Sequence, residues 1–224
     1  MRPEPERTAL VIFAREPRPG QVKTRLLERL SIRQVDALYK AFVLDVCGIA
    51  RNARCDTRLI FYAGAPGRPF FLGRFRKDFT LRRQSGRTLG DRMASAFRFC
   101  FRRGFGRVVL IGTDCLTITA RDIEKAFRNL ENSDCVLGPS RDGGYYLIGL
   151  RAPVPELFRG MVWGTGEVLA KSLEKLRKEK KACALLGVKS DIDTGRDLER
   201  YQRQLPRGRT TSTGRLLFRM PLAF

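Results

Sequence analysis

The stretch Arg107-Val-Val-Leu-Ile-Gly-Thr-Asp-Cys115 constrains the fold more than any other part of the chain. Four consecutive apolar residues, Val108 to Ile111, stop abruptly at Gly112-Thr113-Asp114. Alternate side chains of a strand point to opposite faces, so an unbroken apolar run needs cover on both. That describes a central strand of an α/β sheet. Each of the four side chains gains about 1.5–3 kcal/mol on burial, whereas Asp114 would lose heavily if it were carried inside unpaired. Asp114 therefore falls at the carboxyl end of the strand. Open α/β sheets place their ligand crevice outside that edge, which makes Asp114 a candidate metal or substrate ligand. Capping the next helix is the other role open to it, although Thr117 and Thr119 stand closer to that helix.

At 224 residues the chain suits one large α/β domain. No apolar run approaches the roughly 18 residues of a membrane span, and the polar start Met1-Arg-Pro-Glu-Pro-Glu-Arg7 lacks the apolar segment of a secretory leader. A cytoplasmic protein is expected. The cysteines at 47, 55, 100, 115, 135 and 183 form no C-x-x-C pair and sit mostly in apolar segments, as small buried hydrophobes do. Histidine is absent, which removes Ser-His-Asp and Cys-His catalysis and imidazole ligation. Chemistry must then rest on carboxylates, Lys, Arg, hydroxyls, backbone amides and an oxygen-ligated metal. The net charge of +21 suits nucleic-acid binding, an anionic small substrate or a generally solvated basic surface. No aromatic-rich RNA-binding signature or helix-turn-helix spacing organises the cations, so no specific nucleic acid is expected; a basic RNA-binding module is the non-enzyme alternative.

A second apolar run, Thr8 to Ala14, reads as the first strand. Behind it Arg15-Glu-Pro-Arg-Pro-Gly-Gln-Val-Lys-Thr-Arg25 is a loop with two prolines, Gly20 and a cluster of cations. Its amides, with Lys23 and Arg25, can wrap an anion. It is not a P-loop, because Val22 stands where glycine must precede the lysine. Ser31 and Gln34 form a capping box for a helix to about Arg51. Strands are expected at 57–63, 79–83, 134–138, the segment after Asp142-Gly143-Gly144, and 182–188. Further helices are expected out of the stretch Gln84–Met93, carrying Leu89, Met93, Phe97, Cys100 and Phe101, from Thr119 to Leu130, behind Trp163-Gly-Thr-Gly166 to about Lys180, and behind Thr194. Gly86 and Gly90, near Arg87 and Arg92, suit a phosphate or sugar hydroxyl at a helix start. Asp142 and its two glycines let a backbone approach a ligand closely, or simply turn a hairpin. The domain is drawn over residues 1–205, with 206–224 as a mobile basic tail.

These blocks together resemble the DUF2064 proteins, which are similar to arsenosugar-biosynthesis-type glycosyltransferases of the nucleotide-diphospho-sugar transferase (GT-A) kind. The resemblance spans roughly residues 8 to 200. It rests on F-A-R-x-P-x-P-G-x-V-K-T-R-L at 13–26, L-G-x-R-M at 89–93, I-G-T-D at 111–114, L-G-P-x-x-D-G-G-Y-Y-L-I-G-L at 137–150 and D-I-D-T-x-x-D-L at 191–198. Where the family usually has Ser-Pro after the central Asp and Ser after the Trp, this chain has Cys115-Leu116 and Gly164. The resemblance implies a three-layer α/β/α, Rossmann-like fold with a mostly parallel mixed sheet. It implies a metal-dependent glycosyltransferase that moves a sugar from a nucleotide sugar to a small acceptor. The alternative is a nucleotidyltransferase that uses a nucleoside triphosphate and releases pyrophosphate. Ala14, Arg15, Gly20, Lys23, Arg25 and Gly90 would bind the nucleotide. Asp114 and Asp193 would hold Mg²⁺ or Mn²⁺, with Asp114 also catalytic. Asp142 would serve the acceptor or act as general base, beside Gly143, Gly144, Tyr145, Trp163 and Thr165.

Overall fold

The structure, a computed structural model, describes residues 6–64, 69–205 and 211–220. Seven strands form one sheet: β1 (Thr8–Arg15), β2 (Thr57–Ala63), β3 (Thr80–Arg83), β4 (Arg107–Ile111), β5 (Cys135–Pro139), β6 (Tyr145–Leu150) and β7 (Cys183–Leu185). Their order is β3-β2-β1-β4-β6-β5-β7. Only β6 runs against its neighbours β4 and β5; the remaining pairings are parallel. The mostly parallel mixed sheet expected from the sequence is therefore present.

The unbroken apolar runs supply both faces. Leu10 and Ile12 of β1 belong to one buried cluster and Ala9, Val11 and Phe13 to the other. The first cluster takes Val35, Leu38, Phe42 and Val46 of α1 (Ile32–Asn52), Ile123 and Phe127 of α4 (Ala120–Asn129), and Leu198 and Tyr201 of α6 (Gly195–Gln204). Met93, Ala96, Phe97 and Cys100 of α3 (Leu89–Phe101) and Leu176 of α5 (Val168–Lys178) cover the opposite face. Three layers result. Ser31, Thr88, Thr119 and Thr194 each cap their helix with a side-chain oxygen and donate their own amide back to the side chain three residues on, the reciprocal bond of a capping box, which satisfies amides the first turn leaves orphaned. Thr119, not Asp114, starts α4.

The structure adds one element and changes one expectation. The connection after Gly64 contains a short helix, α2 (Pro69–Arg74), followed by the buried Phe75. More consequentially, part of the expected tail is built into the body: α7 (Ser212–Arg219) lies against α1. Asp45 of α1 accepts the amides of Ser212 at 2.6 Å and Thr213 at 2.8 Å, so a carboxylate sits at the helix N-terminus, where the helix dipole favours it. Leu217 is fully buried in the first cluster. The Arg/Gly/Thr composition hid a helix whose stability comes from docking rather than from propensity. Residues 206–210 and 221–224 of that tail lie outside the described residues.

Candidate active site

The strand order reverses direction at β1: β2 follows on one side and β4 lies on the other. A crevice at the carboxyl ends of strands forms at such a switch point, and here it is a cleft of about 760 Å³, within the range of small-molecule sites. Because β6 is antiparallel, its first residue Tyr145 and the preceding turn reach the same edge. The cleft thus gathers segments far apart in the chain.

The loop after β1 is fixed at both ends. Tyr39 of α1 accepts the Arg15 amide through its hydroxyl at 2.8 Å and lies 3.2 Å from the Arg15 carbonyl, to which the hydroxyl donates. Burial, with the Asp114 charge nearby, pushes this phenol up to about 12, so it stays protonated as a donor. Further along, Val22 and Leu26 are buried in the core on either side of Lys23. The Lys23 ammonium lies 2.9 Å from Asp114 Oδ1 and 2.6 Å from Asp193 Oδ1. Burial by itself would lower its pKa; the charges and hydrogen bonds of the two carboxylates outweigh that and raise it above the ordinary lysine value.

Asp193 reaches this point because Ile192 is buried and donates its amide to the Asp114 carbonyl at 3.0 Å. The same loop carries Asp191, whose Oδ1 is buried with no hydrogen-bond partner. Burial first, and then the charges of Asp114, Asp142 and Asp193 against the opposing help of Lys23, raise its carboxyl to about 7. On the far wall Asp142 lies in the turn between β5 and β6. Its Oδ1 accepts from the Ser140 hydroxyl and from the Gly144 amide, the latter at 3.1 Å. Gly143 adopts φ +85°, and a side chain there would strike the Gly166 backbone at 2.0 Å; the Leu169 amide also donates to the Gly143 carbonyl at 2.9 Å. That close backbone contact sets Trp163 and Thr165 opposite Asp142. Trp163 meets Tyr145 edge to face, with ring centroids 6.4 Å apart.

Of the residues singled out in the sequence, Ala14, Arg15, Lys23, Arg25, Asp114, Asp142, Gly144, Tyr145, Trp163, Thr165 and Asp193 line the cleft. Gly20, Gly90 and Gly143 do not. Gly20 turns the loop at φ +74°. Gly90 is the seat of Trp163: a Cβ there would lie 2.7 Å from the indole Nε1 and 2.9 Å from the Phe158 carbonyl. Several lining residues are not among the site residues expected from the sequence, Tyr39, Gln84 and Asp191 among them. Tyr39 lies within α1, Gln84 directly behind β3, and Asp191 at the head of the D-I-D-T block, where the sequence points to no role for it. Gln84 donates to the carbonyls of Ala14 at 3.2 Å and Phe61 at 2.9 Å, tying the ends of β1 and β2 together.

The model of the DUF2064 family, described as uncharacterised proteins conserved in bacteria, matches residues 46–165, just over half the chain. The protein belongs to the DUF2064 family. The match takes in Asp114 and the turn at Asp142 but neither Lys23 nor Asp193. A solved structure covers those as well. The crystal structure of a "putative nucleotide-diphospho-sugar transferase" from Desulfovibrio desulfuricans is 33% identical over 95% of this DUF2064 chain and 94% of that one, with a TM-score of 0.85. More distant structures share the fold. The Rv0371c protein of Mycobacterium tuberculosis in complex with manganese is 14% identical, with a TM-score of 0.50 over 89% of this chain and all of that one. A cytidylyltransferase from Leptospira borgpetersenii is 14% identical, with a TM-score of 0.56 over 87% and 84%. No protein with a curated description matches the chain. Among the described residues no helix is long and apolar enough to cross a membrane.

Proposed function

We propose that this DUF2064 protein is a metal-dependent glycosyltransferase that moves a sugar from a nucleotide-diphospho-sugar to a small acceptor. One observation carries the reading: the cations of the loop after β1, Asp114 at the end of β4 and Asp193 before α6 meet in one cleft at the switch point of the sheet. The 33% identical neighbour, with its name, supports the same substrate class. Arg15, Lys23 and Arg25, with Arg87 and Arg92 from the start of α3, line the cleft and would bind the phosphates; guanidinium groups suit phosphate oxygens because they donate in pairs. Trp163 and Tyr145 offer apolar surface to the sugar or acceptor. Asp142, held by Ser140 and Gly144, would take the acceptor's proton.

The donor set fits a hard divalent cation. Asp114 and Asp193 share the one ammonium of Lys23, and beside them Asp191 has a buried oxygen without a hydrogen-bond partner. No three carboxylates or thiols among the described residues converge closely enough to enclose a metal alone. That suits Mg²⁺ or Mn²⁺ held by Asp114 and Asp193, since such ions commonly use one or two carboxylates and complete their shell with phosphates and water. When bound, the ion supplies charge neutralisation to the departing diphosphate. The manganese complex of the mycobacterial protein supports this assignment.

Nucleotidyl transfer is the second reading, favoured by five cations lining one cleft, enough for a triphosphate. A panel of nucleotides and nucleotide sugars, each with Mg²⁺ or Mn²⁺, should reveal the ligand by thermal stabilisation: saturation at a hundred times Kd is worth about 2.7 kcal/mol. Product analysis then separates the two, nucleoside diphosphate for glycosyl transfer and pyrophosphate for nucleotidyl transfer. The absence of any stabilising nucleotide would dismiss both.

A further inference from the structure

Lys23 is held more tightly than a phosphate-binding lysine needs to be. Its side chain is 7% exposed, while each of the two carboxylates it joins is 42% exposed. Its backbone is left-handed, at φ 48° and ψ 43°; among the described residues only Lys180 is another non-glycine with positive φ. Such strain persists only where the surroundings enforce it, and it gathers at functional sites. Here the buried Val22 and Leu26 enforce it. The oxygens on which the ammonium rests, Oδ1 of Asp114 and Oδ1 of Asp193, belong to the two side chains assigned above to the metal.

The two cations therefore compete for the same carboxylates. A divalent ion that arrives alone must displace a buried ammonium from the two carboxylates it is paired with among the described residues, and breaking a buried ion pair is costly. A phosphate arriving with the ion changes the balance, because it offers the ammonium new oxygens while the carboxylates turn to the metal. We propose that Lys23 is an internal counterion that keeps the metal's place until the substrate's phosphates draw it away, so that divalent cation and nucleotide enter as a pair. The inference rests on the assignment of Asp114 and Asp193 to the metal. It predicts strong positive coupling between the two ligands, equal in both directions by linkage.

The test uses the full-length protein and Mn²⁺ alone as probe, with free Mn²⁺ followed by electron paramagnetic resonance. Wild type should bind weakly, and Lys23→Gln, which keeps much of the side chain but not the charge, should bind at least about tenfold more tightly, a difference of about 1.4 kcal/mol. Adding Asp114→Asn to that variant should abolish the gain. Equal affinities of wild type and Lys23→Gln would overturn the counterion role while leaving the metal assignment standing. Mn²⁺ binding by neither protein, with or without inorganic pyrophosphate, would remove the metal assignment and this inference with it. A second measurement needs no variant: in wild type, acetylation of the Lys23 amine by a water-soluble reagent, read by mass spectrometry, should be slow without metal and quicken when Mn²⁺ saturates the site. An unchanged rate at saturation would also overturn the proposal.

Discussion

Replacing Asp191 by asparagine should stabilise the protein at neutral and alkaline pH. The Asp191 carboxyl is raised from an ordinary 3.8 to about 7 by burial and by the charges of Asp114, Asp142 and Asp193. The folded chain thus holds this proton more tightly than the unfolded chain, and stability falls with pH wherever the folded state binds more protons. The contribution is complete below about pH 4, is lost as pH rises towards 7, and stays lost above. At about 1.36 kcal/mol for each tenfold change in proton affinity, the interval amounts to at most about 4 kcal/mol, less where water relaxes around the ionised group. Asparagine has nearly the same shape and no charge to bury. Urea unfolding of both proteins in chelator at pH 4, 5.5, 7 and 8 isolates the effect, because every other titration is common to the pair. The two should coincide near pH 4 and diverge to about 2–4 kcal/mol in favour of the variant at pH 8. A difference independent of pH, or a less stable variant at pH 8, would refute the account of Asp191 as an uncompensated buried carboxylate.

Four further outcomes follow from particular contacts. Asp114→Ala should fold normally yet lose the metal-dependent part of nucleotide binding in calorimetry. Gly90→Ala puts a methyl group against the Trp163 indole and the Phe158 carbonyl, and overpacking of this kind costs about 1–3 kcal/mol; indole fluorescence should shift because the ring must leave its seat. Leu217→Ala opens a cavity beneath α7, where the leucine is 1% exposed, and should cost about 2–5 kcal/mol by denaturant unfolding. Any RNA or duplex DNA binding should ignore sequence and collapse with salt, each neutralised phosphate of duplex DNA adding about −0.9 to the slope of log K against log salt.

Much of this site is legible in the sequence because it lies at the ends of strongly apolar strands. The run from Val108 to Ile111 fixes where Asp114 must stop, and the prolines and cations behind β1 mark a loop that cannot be interior. Capping residues at 31, 119 and 194 locate helix starts to within a residue. Two things are not legible, and both depend on contacts between distant segments. Nothing local distinguishes Asp191 from Asp193. Only the docking of Ile192 on the Asp114 backbone brings both to the cleft, Asp193 against Lys23 and Asp191 with a buried oxygen that has no hydrogen-bond partner. Gly90 reads as a ligand-approach glycine near a helix start, yet its neighbour is a tryptophan ring more than seventy positions later. The helix α7 fails for a third reason: its short apolar stripe, Leu216 and Leu217, is too small to register until Asp45 is known to receive its first amides.

The pairing of Lys23 with Asp193 spans 170 positions, and it sets an order of events during synthesis. Domains fold as units during synthesis, and β1, α1, β2 and β4 are all made well before residue 193 emerges. Throughout that interval Lys23 faces Asp114 alone and the cleft lacks one wall. A nascent chain halted between β6 and Asp193 would therefore lack a complete site, and binding competence would arrive only once that residue is in place.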